Sequence, residues 1–98
     1  MSPRPRRHRR VHSEPNITYF KPRGVPLSEL NESIVSVSEF EAIRLKDLEG
    51  IEQGEAAKKM DISQPTFHRL IISARKKIAD AIVNGKAIKI EGGNYKLK

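Results

Sequence analysis

The side chains best equipped for chemistry are concentrated in SQPTFHR (63–69) and, two turns further on, in RKK (75–77). At the start of a helix, Gln64, Pro65, His68 and Arg69 fall opposite Phe67 and Ile71. Arg69 can donate two hydrogen bonds to a guanine edge, and Gln64 can pair bidentately with adenine. His68 can meet a base or, when protonated, a phosphate. Ser63 and Thr66 are short hydroxyl donors suited to phosphate oxygens, and a helix N-terminus attracts anions by itself. Arg75, Lys76 and Lys77 lie too far along to share those bases and read as contacts to the nucleic-acid backbone. Any one of these residues could equally be an ordinary solvated side chain. The cluster carries the reading.

No catalytic arrangement competes with it. The chain has no Ser/His/Asp cluster, no HExxH and no phosphate-cradling glycine loop, since Gly92-Gly93 precedes no helix. It has no cysteine, which rules out disulfides and thiolate zinc sites. His8 and His12 are four apart, but Pro3 and Pro5 argue against a helix there and no third ligand is evident. Neither an enzyme nor a bound metal or cofactor is expected.

The stretch EQGEAAKKMDISQPTFHRLIISARKK, from Glu52 to Lys77, supplies the elements that would position the cluster. Gln53 to Met60 reads as a helix with Ala56, Ala57 and Met60 on one face, and Ala57 is small where two helices approach closely. Asp61 suits a left-handed turn residue, and Ile62 can plug the angle between the helices. Ser63 is an N-cap and Pro65 sits in the first turn, where a missing N–H costs little. These are marks of a helix-turn-helix, whose second helix presents its N-terminal residues to a DNA major groove. That second helix need not stop before Asn84-Gly85, a length of ~30 Å. Phe67, Ile71 and Ala74 would complete the core. Ile78, Ala81 and Ile82 would pack on the N-terminal segment or a second subunit.

Around this motif we place four segments. Residues 1–15 read as a flexible basic arm carrying Arg4, Arg6, Arg7, Arg9 and Arg10, able to track phosphates or enter a minor groove. Residues 16–37 hold a short strand, NITYF, and a linker. Residues 38–84 form the helix-turn-helix domain, opened by a capping box at Ser38 and Glu41. Its first helix runs to about Leu48, presents an acidic exposed face and ends at Gly50. Residues 85–98 read as a C-terminal β-hairpin or tail turning at Gly92-Gly93, and its strand is expected to join NITYF or a partner's strand.

Charge is sorted along the chain. Residues 1–12 carry +5, residues 13–57 carry −5 and residues 58–98 carry +7, for a net charge of +7. Basic character thus coincides with the arm and with the second motif helix onward, as phosphate binding requires. Ninety-eight residues allow one small domain. No apolar run approaches the ~20 residues that span a bilayer, and the basic N-terminus lacks a signal-type apolar segment. A cytoplasmic location is expected.

The segment Ser38–Ile82, with EFEAIRLKDLEGIEQGEAAKKMDIS and SARKKIADAI, resembles the region-4 helix-turn-helix of sigma-70-type transcription factors. Almost the whole chain is similar to a family of small, uncharacterised archaeal and bacterial proteins described as DNA-binding, through RPRRHRRV, YFKPRGVPL, EAIRLKDLEG, QPTF and GKAIKIEGG. The resemblance implies base-reading positions at Gln64, Pro65, His68 and Arg69. It departs from the pattern at Asp61, where glycine is common, at Gly54, which weakens a helix by roughly 1 kcal/mol relative to alanine, and at His8, where relatives often carry cysteine. The expected architecture is therefore mainly α, a three-helix, sigma-70 region 4-like core of the winged-helix/homeodomain-like class with short flanking strands. The expected function is sequence-specific binding of double-stranded DNA, as a homodimeric transcriptional regulator that can also meet RNA polymerase. A protein-interaction adapter of the transcription machinery and an RNA-binding protein are the alternatives. The adapter would show an exposed apolar face on residues 78–90. RNA binding is disfavoured by the scarcity of aromatic residues for base stacking.

Overall fold

The computed structural model describes residues 8–97. Its elements are β1 (Arg9–Val11), β2 (Tyr19–Phe20), a 3-10 turn (Leu27–Glu29), β3 (Glu32–Val35), α1 (Val37–Ile43), a π-helical segment (Arg44–Leu48), α2 (Gln53–Lys59), α3 (Gln64–Asn84), β4 (Ala87–Ile90) and β5 (Tyr95–Leu97). The three α-helices dominate, with the short strands gathered into two small sheets.

Two apolar clusters hold these elements together. The first joins Ala42 and Leu45 to Ala56, Ala57 and Met60 of the α2 region and to Phe67 and Ile71 of α3. The alanines let α2 approach α3 closely, and Phe67 is completely buried, a contribution of roughly 2–3 kcal/mol. The second cluster joins Val11, Val35, Val37 and Ile90, with Phe40 and Ile78 against it. It seats the sheet on the first and third helices. The placement of Ile78 against this N-terminal material agrees with expectation and Ala81 is buried, whereas Ile82 is 74% exposed.

α3 spans Gln64–Asn84, with Ser63 as N-cap, proline in its first turn and Gly85 closing it in the left-handed region. Asp61 also takes a positive φ, +58°, and Gly50 follows the π segment in the same region. These features match the sequence reading closely. Three others do not.

The capping box is formed by Ser36 and Glu39, not by Ser38 and Glu41. Two overlapping S-x-x-E registers compete here, and burial decides between them. The Ser36 Oγ accepts from the Glu39 amide at 3.1 Å while Glu39 accepts from the Ser36 amide at 2.8 Å. Ser38 is buried and donates instead to the Asn94 carbonyl, and Glu41 turns to Arg44. In consequence, Glu39 and Glu41 are buried, 4% and 3% exposed, so α1 does not present the acidic solvated face expected of it. The helix also leaves α geometry after Ile43, where the Glu49 amide reaches the Arg44 carbonyl.

The basic arm is not free as far as residue 15. Arg9–Val11 pairs parallel with β5, the Arg10 amide donates to the Met60 carbonyl at 2.9 Å, and Val11 is fully buried. One apolar residue after a basic run suffices to anchor it. Arg4, Arg6 and Arg7 lie outside the described residues.

The C-terminal strands do not form a hairpin together. β4 is the middle strand of a three-stranded sheet, antiparallel to β2 and parallel to β3, while β5 pairs with β1. The expected union of β4 with NITYF is present, through Tyr19↔Lys89 and Phe20↔Ile88. β3 pairing with β4 ties residues 16–37 to residues 85–98, so these segments share one sheet. Gly92-Gly93 instead carries the chain across to Val37, whose amide donates to the Gly92 carbonyl.

Candidate nucleic-acid interface

The turn between α2 and α3 sets the geometry of the candidate surface. The Ile62 amide donates back to the Ala57 carbonyl at 3.1 Å, and the Asp61 amide to the Lys58 carbonyl at 3.0 Å. These bonds close the end of α2 and redirect the chain within a few residues. Ser63 Oγ then accepts from the Thr66 amide at 3.3 Å and donates to Thr66 Oγ1 at 2.9 Å. Arg69 reaches back to Thr66 Oγ1 at 3.4 Å, holding its guanidinium over the first turn of α3.

Gln64, Pro65, His68 and Arg69 are all exposed. They do not share one position, however. Pro65 and Arg69 stand opposite the buried Phe67, whereas Gln64 leans toward α2. A Cβ at Gly54 would lie 3.1 Å from the Gln64 amide nitrogen and 3.1 Å from a Glu52 carboxylate oxygen. Gly54 therefore makes room for Gln64 and for the Glu52 cap, which accepts from the Gly54 and Glu55 amides. The sequence showed only its cost in helix propensity.

The cations of the second half of α3 differ from one another. Arg75 is engaged by Asp47, with Nη2 to Oδ1 at 2.6 Å. This partner holds the Asp47 carboxyl below its usual range. Lys77 is bound to the buried Glu39 at 2.8 Å. Burial pushes the Glu39 carboxyl up, but Lys77, the Ser73 hydroxyl and the Ser36 amide together hold it below the usual carboxylate range. Lys77, like Arg75, could meet a phosphate only by sharing or leaving its carboxylate partner. Lys76 is exposed and has no ion pair among the described residues. It lies ~10 Å along the helix from Arg69, a suitable offset for a phosphate beside the bases that Arg69 would face.

One surface residue escaped the sequence reading. Ile72 is 48% exposed between His68, Arg69 and Lys76. Sequence analysis does not single it out, although its position one turn beyond His68 puts it on the outer face. An exposed aliphatic group there suits a thymine methyl.

Comparison with known proteins bears on the whole chain. A family model described as "Protein of unknown function DUF134" matches residues 1–98. The chain belongs to that family. Among its curated relatives, a UPF0251 protein of Caldanaerobacter subterraneus subsp. tengcongensis is 67% identical over 95 residues, covering 97% of this chain and 80% of the relative. A UPF0251 protein of Thermoanaerobacter pseudethanolicus is 64% identical over 95 residues, with the same coverage of each chain. One from Dehalococcoides mccartyi strain 195 is 55% identical over 95 residues, covering 97% of this chain and 81% of the relative. No solved structure matches.

In this DUF134 member, no helix among the described residues is long and apolar enough to cross a membrane. Nor do the described residues include a group of three or more His, Asp or Glu side chains able to hold a metal ion.

Proposed function

We propose that the α2–turn–α3 unit is a sigma-70 region 4-like helix-turn-helix that binds double-stranded DNA in a sequence-specific manner. The chain would act as a transcriptional regulator, as a homodimer on two half-sites. The observation that carries this reading is the exposed N-terminal end of α3. Pro65, His68 and Arg69 stand clear of the core there beyond a capped, tightly turned entry, with Ile72 and Lys76 continuing the same face. A helix so presented fits the major groove, with base edges facing its first two turns and phosphates flanking it. Arg69 is the principal base reader and Lys76 a phosphate contact. Ser63 and Thr66 serve phosphates near the helix start, and Gln64 reads from the flank.

Fluorescence anisotropy on a bound duplex separates these roles. Arg69→Ala is expected to relax specificity at one base pair at a cost of about 1–3 kcal/mol. Lys76→Ala should weaken all sequences alike and flatten the salt slope by about one. Indistinguishable effects from the two substitutions would refute the division of roles.

A specific observation also supports the adapter reading. Ile82 and Val83 are 74% and 79% exposed, an apolar strip at the far end of α3 within the stretch where a protein partner was expected to dock. The two readings use opposite ends of α3. Binding to DNA that survives Ile82→Ser and Val83→Ser, and is abolished by Arg69→Ala with Lys76→Ala, would favour the DNA reading.

A further inference from the structure

We infer that a cavity of about 480 Å³ between β1, the π-helical segment and α2 is a binding site for a small organic anion, a carboxylate or phosphate on a short apolar body. Its wall carries Arg10, His12, Arg44 and Lys59, its acidic members are Glu41 and Glu49, and Leu45 and Ile51 line the remainder. The volume is that of an ordinary small-molecule site. None of its lining residues belongs to α3, and the inference stands independently of the DNA assignment made there.

The charges within it are unequally matched. Arg44 grips both oxygens of the buried Glu41, through Nε at 2.8 Å and Nη2 at 2.9 Å, and its remaining nitrogen meets Glu49. Burial pushes the Glu41 carboxyl up, but Arg44 and the His12 amide hold it below its usual range, so it is ionised at neutral pH. Arg44 and the two carboxylates thus neutralise one another incompletely, leaving −1. Among the described residues, the Arg10 guanidinium and the Lys59 ammonium take part in no ion pair or side-chain hydrogen bond. They bring the site to +1. Two cationic donors facing one concave space are matched by an anion, and Leu45 and Ile51 offer contact to apolar atoms beside it.

The donors are also held in place. Arg10 sits in the middle of β1, paired with Lys96, and its amide is bound to the Met60 carbonyl. The His12 amide donates to Glu41 Oε2 at 3.0 Å. A ligand would therefore meet a preformed backbone, which lowers the ordering cost of binding. The π-helical turn widens the helix where it faces this space, a distortion that recurs at functional sites.

The test is an amide chemical-shift titration of the full chain with sodium phosphate and, separately, sodium succinate, against sodium chloride at matched ionic strength. The expected result is a saturable response at Arg10, His12, Leu45 and Lys59 to at least one of the two anions, with a dissociation constant in the millimolar range or tighter. Arg10→Gln and the exposed Lys59→Gln should each weaken that binding roughly tenfold, the loss of one charge-assisted hydrogen bond. The second variant keeps the test valid if the first disturbs β1. Responses confined to Ser63–Thr66, or unsaturable responses that chloride reproduces, would overturn the inference. Binding unaffected by both variants would overturn it as well.

Discussion

Removing the Glu39 carboxylate should loosen the joint between α1 and α3 more than any surface substitution. This side chain is 4% exposed and carries three bonds. Oε1 accepts from the Ser36 amide and from Lys77, each at 2.8 Å, and Oε2 accepts from the Ser73 hydroxyl. Glu39→Ala removes one half of a capping box, about 1 kcal/mol. It also strands the buried side of Ser73 and opens a small void, together about 1–2 kcal/mol. Lys77 is 40% exposed and regains water, so its loss adds less than a buried ion pair would. The sum is about 3 kcal/mol. Glu39→Gln keeps the shape and the acceptor for Ser36 and loses only the charge, at about 1 kcal/mol. Urea denaturation followed by circular dichroism at neutral pH reads both values, provided the slope m is unchanged. The pH dependence supplies a second reading. A carboxyl whose pKa is lower in the folded state stabilises fully above its unfolded value, near about 4.3. That stability is lost as pH falls through the folded pKa. The parent chain should therefore lose more stability below about pH 4.3 than Glu39→Gln does, while Glu41 still contributes a slope to both. An alanine variant within about 0.5 kcal/mol of the parent, or equal losses for alanine and glutamine, would refute this account of the joint.

Other perturbations test separate parts of the structure. Asp47→Asn releases Arg75 from an exposed pair, so stability should change by less than about 1 kcal/mol. If Arg75 then meets a phosphate, the salt slope of DNA binding steepens by about one, and an unchanged slope removes Arg75 from the interface. Gly93→Ala places a Cβ 2.8 Å from that of Ser36 at a φ of +94°. A loss of at least about 2 kcal/mol is expected in the same urea assay, and a neutral result would contradict the close crossing at the start of α1. Val11→Ala should cost about 2 kcal/mol and expose the Val11 amide to faster hydrogen exchange. A free arm would show neither effect.

Local signals were the most legible in the sequence. Asp61, Ser63, Pro65 and Gly85 each act within a turn of their own position, and together they delimit α3 with no reference to the rest of the chain. The Ser36 and Ser38 capping registers could not be separated this way. Both satisfy the same spacing, and only the burial of Ser38 against Asn94, 56 residues away, decides between them. The strands were less legible still. Three residues at Arg9–Val11 and three at Tyr95–Leu97 carry too little pattern to announce a parallel pairing, and a Gly-Gly turn ordinarily argues for a hairpin. At the candidate interface, helical periodicity put Pro65 and Arg69 on the outer face. It could not reveal that Asp47 and Glu39 engage Arg75 and Lys77, because those partners come from elements whose packing depends on the whole fold.

The most direct test of the central claim is selection from a random-sequence duplex pool over several rounds, followed by affinity against salt. The account predicts enrichment of a motif built from two inverted half-sites about one helical turn apart, with affinity falling steeply as salt rises. Absence of binding even at low salt would contradict it and leave the apolar strip at Ile82 and Val83 as the surface to explain.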